Sequence, residues 1–234
     1  MTANTPTTTI ELPIPAGSLI VSCQAPQGSP LRRPDMIAAM ASAAELGGAS
    51  AVRVDGPDDV AAVAAEVALA ILGIHKVGDR DGVYITPTSV TAEAVIDAGA
   101  SMVAVDGTAR PRPGGETLTH LVDRVHERGV PVMADCATLD HGRFAADAGC
   151  DVLATTLSGY AGGPSADGPD VRLVKELADQ TGLPVVAEGR YTSPGEVADA
   201  FDAGAYAVVV GTAITDPIQI TRRFVDVTPR QKMA

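Results

Sequence analysis

The chain has 234 residues, is 46% hydrophobic, and carries 17 Lys and Arg against 29 Asp and Glu, a net charge of −12. That length fits one large domain and that apolar content builds a substantial core, which excludes a disordered chain. The acidity, with no Lys/Arg cluster, argues against nucleic acid as a partner, because a phosphate backbone needs a basic face.

The opening stretch, residues 1–16, is rich in Thr and Pro. It lacks the basic start and apolar core of a signal peptide and is expected to be a mobile tail or lead-in. From there one unit recurs. A short apolar run ends in a polar residue or glycine, a loop and an amphipathic helix follow, and glycine precedes the next run. The runs are Leu19–Gln24, Ala51–Asp55, Ile71–Lys76, Met102–Asp106, Val132–Asp135, Val152–Thr156, Val185–Glu188 and Ala207–Gly211. Helical patterns lie between them near Asp35–Leu46, Asp58–Leu69, Ala92–Ala98, Leu118–Glu127, Gly142–Ala148, Val171–Gln180, Pro194–Ala203 and Pro217–Phe224.

A weak repeat supports this parsing. Asp97-Ala98-Gly99-Ala100, Asp147-Ala148-Gly149-Cys150 and Asp202-Ala203-Gly204-Ala205 each precede a Val-rich run. Glycine just past a helix caps its C-terminus, so each repeat marks a helix stopping and a strand starting. Alternating strands and helices imply parallel pairing through right-handed crossovers. Eight such units predict an α/β fold, a closed parallel (β/α)8 TIM barrel over residues 17–227, with a tail at 228–234. The competing architecture is an open doubly wound sheet, where functional residues gather at one switch point. Here polar residues end nearly every run, which favours a ring around one mouth.

The longest apolar stretch, Val60–Ile74, contains Glu66 and is too short to cross a bilayer, so no membrane association is expected. Three cysteines, Cys23, Cys136 and Cys150, form no CxxC and leave an odd count. A disulfide framework is therefore not expected, and a cytoplasmic location fits. His75, His120, His126 and His141 show no metal-ligand spacing, so no metal site is expected.

The candidate chemistry lies at the run ends. Glu188 closes a strand buried on both faces, where a carboxylate is costly unless it has a partner or a task. Lys76 closes another. A lysine whose pKa is lowered by burial or nearby positive charge can take a proton from carbon beside a carbonyl, and Glu188 can serve the opposite face. The alternative is a structural Lys76–Glu188 ion pair. Gln24 and Arg53 can orient polar substrate groups or pair with each other. Asp106 and Asp135 can bind hydroxyls, fix Lys76 and Arg110, or cap loops. Thr155 ends the sixth run. Gly189, Arg190, Gly211 and Thr212 follow the last two runs, where such barrels often bind phosphate through backbone N–H groups. Gly159, Gly162, Gly163 and Gly168 make the loop after run six look mobile: a cover for a ligand, or a long connection.

Several segments together resemble one family. Ile20-Val21-Ser22-Cys23-Gln24-Ala25, Tyr84-Ile85-Thr86-Pro87-Thr88, Thr155-Thr156-Leu157-Ser158-Gly159-Tyr160, Ala187-Glu188-Gly189-Arg190 and Gly211-Thr212-Ala213-Ile214-Thr215 are similar, in order, to N-acetylmannosamine-6-phosphate 2-epimerases. The resemblance implies a (β/α)8 barrel without metal or redox cofactor. It implies an isomerase that interconverts N-acetylmannosamine 6-phosphate and N-acetylglucosamine 6-phosphate in sialic-acid or amino-sugar catabolism. It further implies Lys76 as catalytic base, Glu188 as its helper, and Gln24, Arg53 and Asp135 as substrate contacts. The phosphate end would lie around Gly189, Arg190, Gly211 and Thr212. Asp216 departs from the family pattern, which has Arg before this Pro. That change weakens or alters anion binding unless Arg190, Arg222 or Arg223 compensates. Two other functions fit a Lys76-bearing barrel: a Schiff-base aldolase or lyase, and a sugar-phosphate-binding protein without turnover. A homodimer is one possible assembly.

Overall fold

The computed structural model describes residues 11–161 and 167–229. Eight strands, β1 (Ser18–Cys23), β2 (Ala51–Asp55), β3 (Ala70–Ile74), β4 (Met102–Asp106), β5 (Val132–Asp135), β6 (Val152–Ala154), β7 (Val185–Glu188) and β8 (Ala207–Val210), pair in chain order. All pairs are parallel, and β8 returns to β1, which closes the barrel and excludes the open sheet. The outer helices are α1 (Pro34–Leu46), α2 (Pro57–Glu66), α3 (Ser89–Asp97), α4 (Leu118–His126), α5 (Leu139–Asp147), α6 (Val171–Thr181) and α7 (Pro194–Asp202). A short α8 (Thr212–Thr215) then precedes α9 (Pro217–Val225).

Strand alternation builds two cores from one sheet. Outward-facing Val52, Val54, Val103, Val105, Val208 and Val210 pack under the helices. Inward-facing Ile20, Leu72, Met102, Met133, Val186 and Val209 fill the barrel. Gly73 faces outward, and a Cβ there would meet the Ala100 Cβ at 2.6 Å, so only glycine admits this approach of the neighbouring unit.

Two helices begin earlier than their apolar pattern. Thr88 and Thr138 accept hydrogen bonds from the N–H groups of Thr91 and His141, and these caps set the starts of α3 and α5 at Ser89 and Leu139. In the other direction, α2 stops at Glu66 rather than running to Leu69. Val67 is already extended, and the Ala68 N–H donates to the Glu45 carboxylate at 2.9 Å, tying the connection to α1.

The lead-in is partly packed. Ile14 is buried among the inward-facing residues, and the Tyr206 hydroxyl donates to its carbonyl at 2.7 Å. Leu12 and Ile14 therefore pack at the N-terminal end of the barrel, the lead-in of the two forms expected for this stretch. Residues 1–10 and 230–234, the remainder of the expected tails, lie outside the described residues, as do Gly162 and Gly163. Among the described residues no helix is long and apolar enough to cross a membrane. Helix α9 buries none of its residues and leaves Phe224 71% exposed.

Candidate active site

The C-terminal ends of the strands surround a cavity of about 760 Å³, within the size range of small-molecule sites. Its position follows from alternation: Gln24, Arg53, Lys76 and Glu188 share the inward parity of the barrel-filling residues below them, and all four line the cavity. The sequence-predicted pair thus faces one space from β7 and from the segment after β3.

Glu188 belongs to an acidic group organised by Arg53. The Arg53 guanidinium is fully buried. It donates to both oxygens of Asp135, at 3.2 and 2.6 Å, and from Nη1 to Glu188 Oε2. Burial pulls the Arg53 pKa down, but Asp135 and Glu188 outweigh it, so the guanidinium stays charged. Thr156 Oγ1 joins them, 2.7 Å from Asp135 Oδ1 and 3.1 Å from Glu188 Oε2. Burial raises the Glu188 pKa, opposed first by the charge of Arg53. Glu188 therefore keeps its proton to higher pH than an exposed glutamate.

Lys76 is wired separately. Residues 84–86 fold back against 75–77: the Val77 N–H donates to the Tyr84 carbonyl and the Thr86 N–H to the His75 carbonyl, both at 2.9 Å. The fold-back holds buried Thr86 at φ 43, a conformation rare for a β-branched residue. Lys76 Nζ donates to Gln24 Oε1 and lies 3.8 Å from Asp55 Oδ2. Burial lowers its pKa; Asp55 opposes the shift and Arg53 adds to it. Lys76 and Glu188 make no ion pair with each other, so the structural-pair alternative is not what the molecule contains. His75, one residue away and of opposite parity, does not line the cavity.

Gly189, Arg190, Gly211 and Thr212 line one side of the same cavity. Gly189 (φ 112) and Arg190 (φ 63) both have positive φ, which turns the chain sharply as it leaves β7. The Arg190 guanidinium donates to the carbonyls of Ser158 and Gly168, both at 2.7 Å, and lies 5.8 Å over the Tyr160 ring. Its Nε and Nη1 thus join the loop after β6 to the end of β7, while Arg190 also lines the cavity. Gly211 packs closely on Ser22, and Thr215 Oγ1 donates to the Ser22 carbonyl at 2.7 Å, which fixes α8 beside β1. Asp216 accepts from the Gln219 N–H at 3.1 Å and caps α9. Its carboxylate therefore has a structural use as well as a place on the cavity wall.

Three expected positions are not brought to the surface of the cavity. Thr155 has outward parity; its hydroxyl donates to the Glu188 carbonyl at 2.9 Å and accepts from the Glu188 N–H at 3.0 Å. It fixes the backbone of Glu188, and Thr156 takes the inward place. Asp135 is fully buried beneath Arg53 and Thr156. Asp106 is also fully buried; it holds Arg110 at 2.6 Å and accepts from the Thr108 hydroxyl, and it does not reach Lys76. Thr156 and Asp55 were missed, although the pleat that selects Arg53 selects both. The cysteines are free and buried, and burial pushes Cys23 and Cys150 up to about 12, which leaves them unreactive thiols.

Residues 37–230 match the model of a family described as "Putative N-acetylmannosamine-6-phosphate epimerase". The chain belongs to this family. A relative of the same description from Cutibacterium acnes is 50% identical over 215 residues, covering 90% of this chain and 93% of its own. One from Caldanaerobacter subterraneus subsp. tengcongensis is 47% identical over 211 residues, covering 88% and 89%. The solved N-acetylmannosamine-6-phosphate 2-epimerase of Clostridium perfringens superposes with a TM-score of 0.88 at 41% identity, covering 92% of this chain and 95% of that one. In this member of the family, Lys76, Glu188, Arg53 and Gln24 stand around one cavity.

Proposed function

We propose that the protein is a C2 epimerase interconverting N-acetylmannosamine 6-phosphate and N-acetylglucosamine 6-phosphate, in the cytoplasmic breakdown of amino sugars, with Lys76 as base and Glu188 as acid. The observation that carries this is the separate wiring of the two groups. Lys76 and Glu188 line one cavity, yet each is held by other partners. A direct pair would instead draw the two side chains together and close the space in which a substrate carbon must lie between them.

In the ring-opened sugar, C2 lies next to the C1 aldehyde and its proton is acidic. Neutral Lys76 takes that proton: the C2–H bond breaks, an N–H bond forms, and the electron pair passes to the C1 oxygen as an enolate. Glu188 returns a proton to the opposite face and inverts C2. Exchange with solvent then resets both groups. Burial moves the two pKa values toward each other, lysine down and glutamate up. This enlarges the fraction of enzyme with neutral amine and neutral acid. With the lysine pKa still above the glutamate pKa, activity rises with pH up to the Glu188 ionisation, is level between the two, and falls above the Lys76 ionisation. A positioned base contributes about 10²–10⁴-fold.

The phosphate fits the side lined by Gly189, Gly211 and Thr212. There α8 begins, and the first N–H groups of a helix lack intrahelical partners. Loops after strands seven and eight with a short extra helix are the usual phosphate site of this fold. We also propose a homodimer with α9 at its interface, because Ile214, Phe224, Val225 and Val227 leave an apolar surface exposed.

The test is proton NMR in D2O with the phosphorylated sugar and, separately, with its unphosphorylated form. Deuterium at C2 together with the second epimer, from the phosphorylated sugar only, is the expected result. Reaction of only the unphosphorylated sugar would remove the phosphate from this reading, and binding without exchange at C2 would remove the catalysis.

A further inference from the structure

We infer that Asp55 is the positioning residue of Lys76, and that β2 separates the acid and base of the site by directing Arg53 to the carboxylates and Asp55 to the amine. The inference rests on Lys76 being the base.

The geometry is specific. Arg53 and Asp55 are two residues apart on one strand and therefore share the inward parity. Arg53 is closed by Asp135 and Glu188. Asp55 turns the other way, toward the segment after β3. Its Oδ1 accepts the Lys76 backbone N–H at 2.9 Å, and its Oδ2 lies 3.8 Å from Lys76 Nζ. The Gly56 N–H donates to the Ile74 carbonyl at 2.7 Å, so the two chain segments are joined on both sides of the carboxylate. Gln24 completes the cradle: Oε1 accepts from Nζ, while Nε2 donates to Ser22 Oγ at 2.7 Å, which fixes the amide. One carboxylate thus holds both the backbone and the side chain of residue 76.

The charge of Asp55 sets a limit on the base. The charged groups facing Lys76 are Asp55 and Arg53 on β2, Asp135 on β5 and Glu188 on β7. Asp135 and Glu188 both bond Arg53, and Asp55 is the carboxylate that lies within 4 Å of the amine. It keeps Lys76 at the wall of the cavity and away from Glu188. It also favours the ammonium, against the burial that favours the free amine. After Lys76 has taken the C2 proton, the ammonium has a counter-ion at hand. Asp55 therefore supports the charged product of proton abstraction while holding the group that performs it.

Asp55→Asn separates these functions. Asparagine still accepts the Lys76 N–H through its carbonyl oxygen, but the charge is gone. Loss of one charge near 4 Å in a partly wet site lowers a lysine pKa by about one unit. The alkaline limb of kcat/KM, which follows Lys76, should move to lower pH by that amount relative to wild type. KM should stay within about twofold and kcat should fall, since the ammonium loses its counter-ion. Asp55→Glu keeps the charge and should leave the limb near its wild-type position. The sugar phosphate titrates identically in every variant, so the difference belongs to the enzyme. An unmoved limb in Asp55→Asn, or a raised KM with kcat unchanged, would overturn the inference and make Asp55 a sugar ligand.

A second measurement separates this inference from the reading beneath it. The Lys76 ammonium, followed by 15N NMR in substrate-free enzyme, reports the Asp55 coupling whether or not Lys76 is the base. Its titration midpoint should fall in Asp55→Asn, and an unmoved midpoint contradicts the coupling. Unaltered conversion by Lys76→Ala would instead overturn the assignment of the base.

Discussion

The two ends of the barrel are built from the same strands and do different work. At the N-terminal end the inward positions are Ile20, Leu72, Met102, Met133 and Val186, closed below by Ile14. One or two inward positions further along, β1, β3, β5 and β7 lead to Gln24, Lys76, Asp135 and Glu188, and β2 presents Arg53 above Ala51. The lower layer gains free energy by removing apolar area from water, about 25 cal/mol per Å². The upper layer spends part of it holding a guanidinium and two carboxylates in a buried network. Stability and chemistry are thus separated along each strand by a few residues.

Substitutions at the two ends should therefore fail differently. The largest effect is expected from Arg53→Met, which strands the fully buried Asp135 carboxylate. It should cost about 3–5 kcal/mol in urea unfolding as well as activity. Leu72→Ala, in the lower layer, should cost about 2–5 kcal/mol while the folded fraction keeps its kcat. A kcat that fell with it would show that the two layers are coupled. Thr156→Val removes the hydroxyl between Asp135 and Glu188; a loss of about 1–3 kcal/mol is expected, together with a shift of the Glu188 limb in the pH profile. Asp216→Ala should be mildest, about 1 kcal/mol from loss of the α9 cap, with Asp216→Asn nearly neutral. If instead Asp216→Asn strongly lowers KM, the carboxylate is repelling the anionic end of the substrate.

Strand count, closure and the glycine stops were legible because they are local and periodic. Most of the site was legible because polar residues at the ends of apolar runs have few structural excuses. The errors also have physical reasons. Thr155 and Thr156 are both threonines at a strand end, and the pleat that separates them is visible only by counting parity from Val152 and Ala154. Asp55 was passed over as the mere terminus of a run, although it shares the parity of Arg53. The carbonyls that Arg190 holds, at Ser158 and Gly168, belong to a loop distant in sequence, so its role in tying that loop to β7 is not visible in the sequence. The sequence leaves residues 11–16 open between tail and lead-in because one buried side chain, Ile14, carries most of their packing.

The central claim is that Lys76 and Glu188 act from separate wiring on one carbon. The most direct measurement is conversion of N-acetylmannosamine 6-phosphate in D2O by wild type, Lys76→Ala and Glu188→Gln, each checked for an unchanged fold by circular dichroism. The account predicts that wild type gives both epimers deuterated at C2. It predicts that each single variant loses interconversion by about 10² or more while remaining folded. Interconversion by Lys76→Ala at the wild-type rate would contradict it.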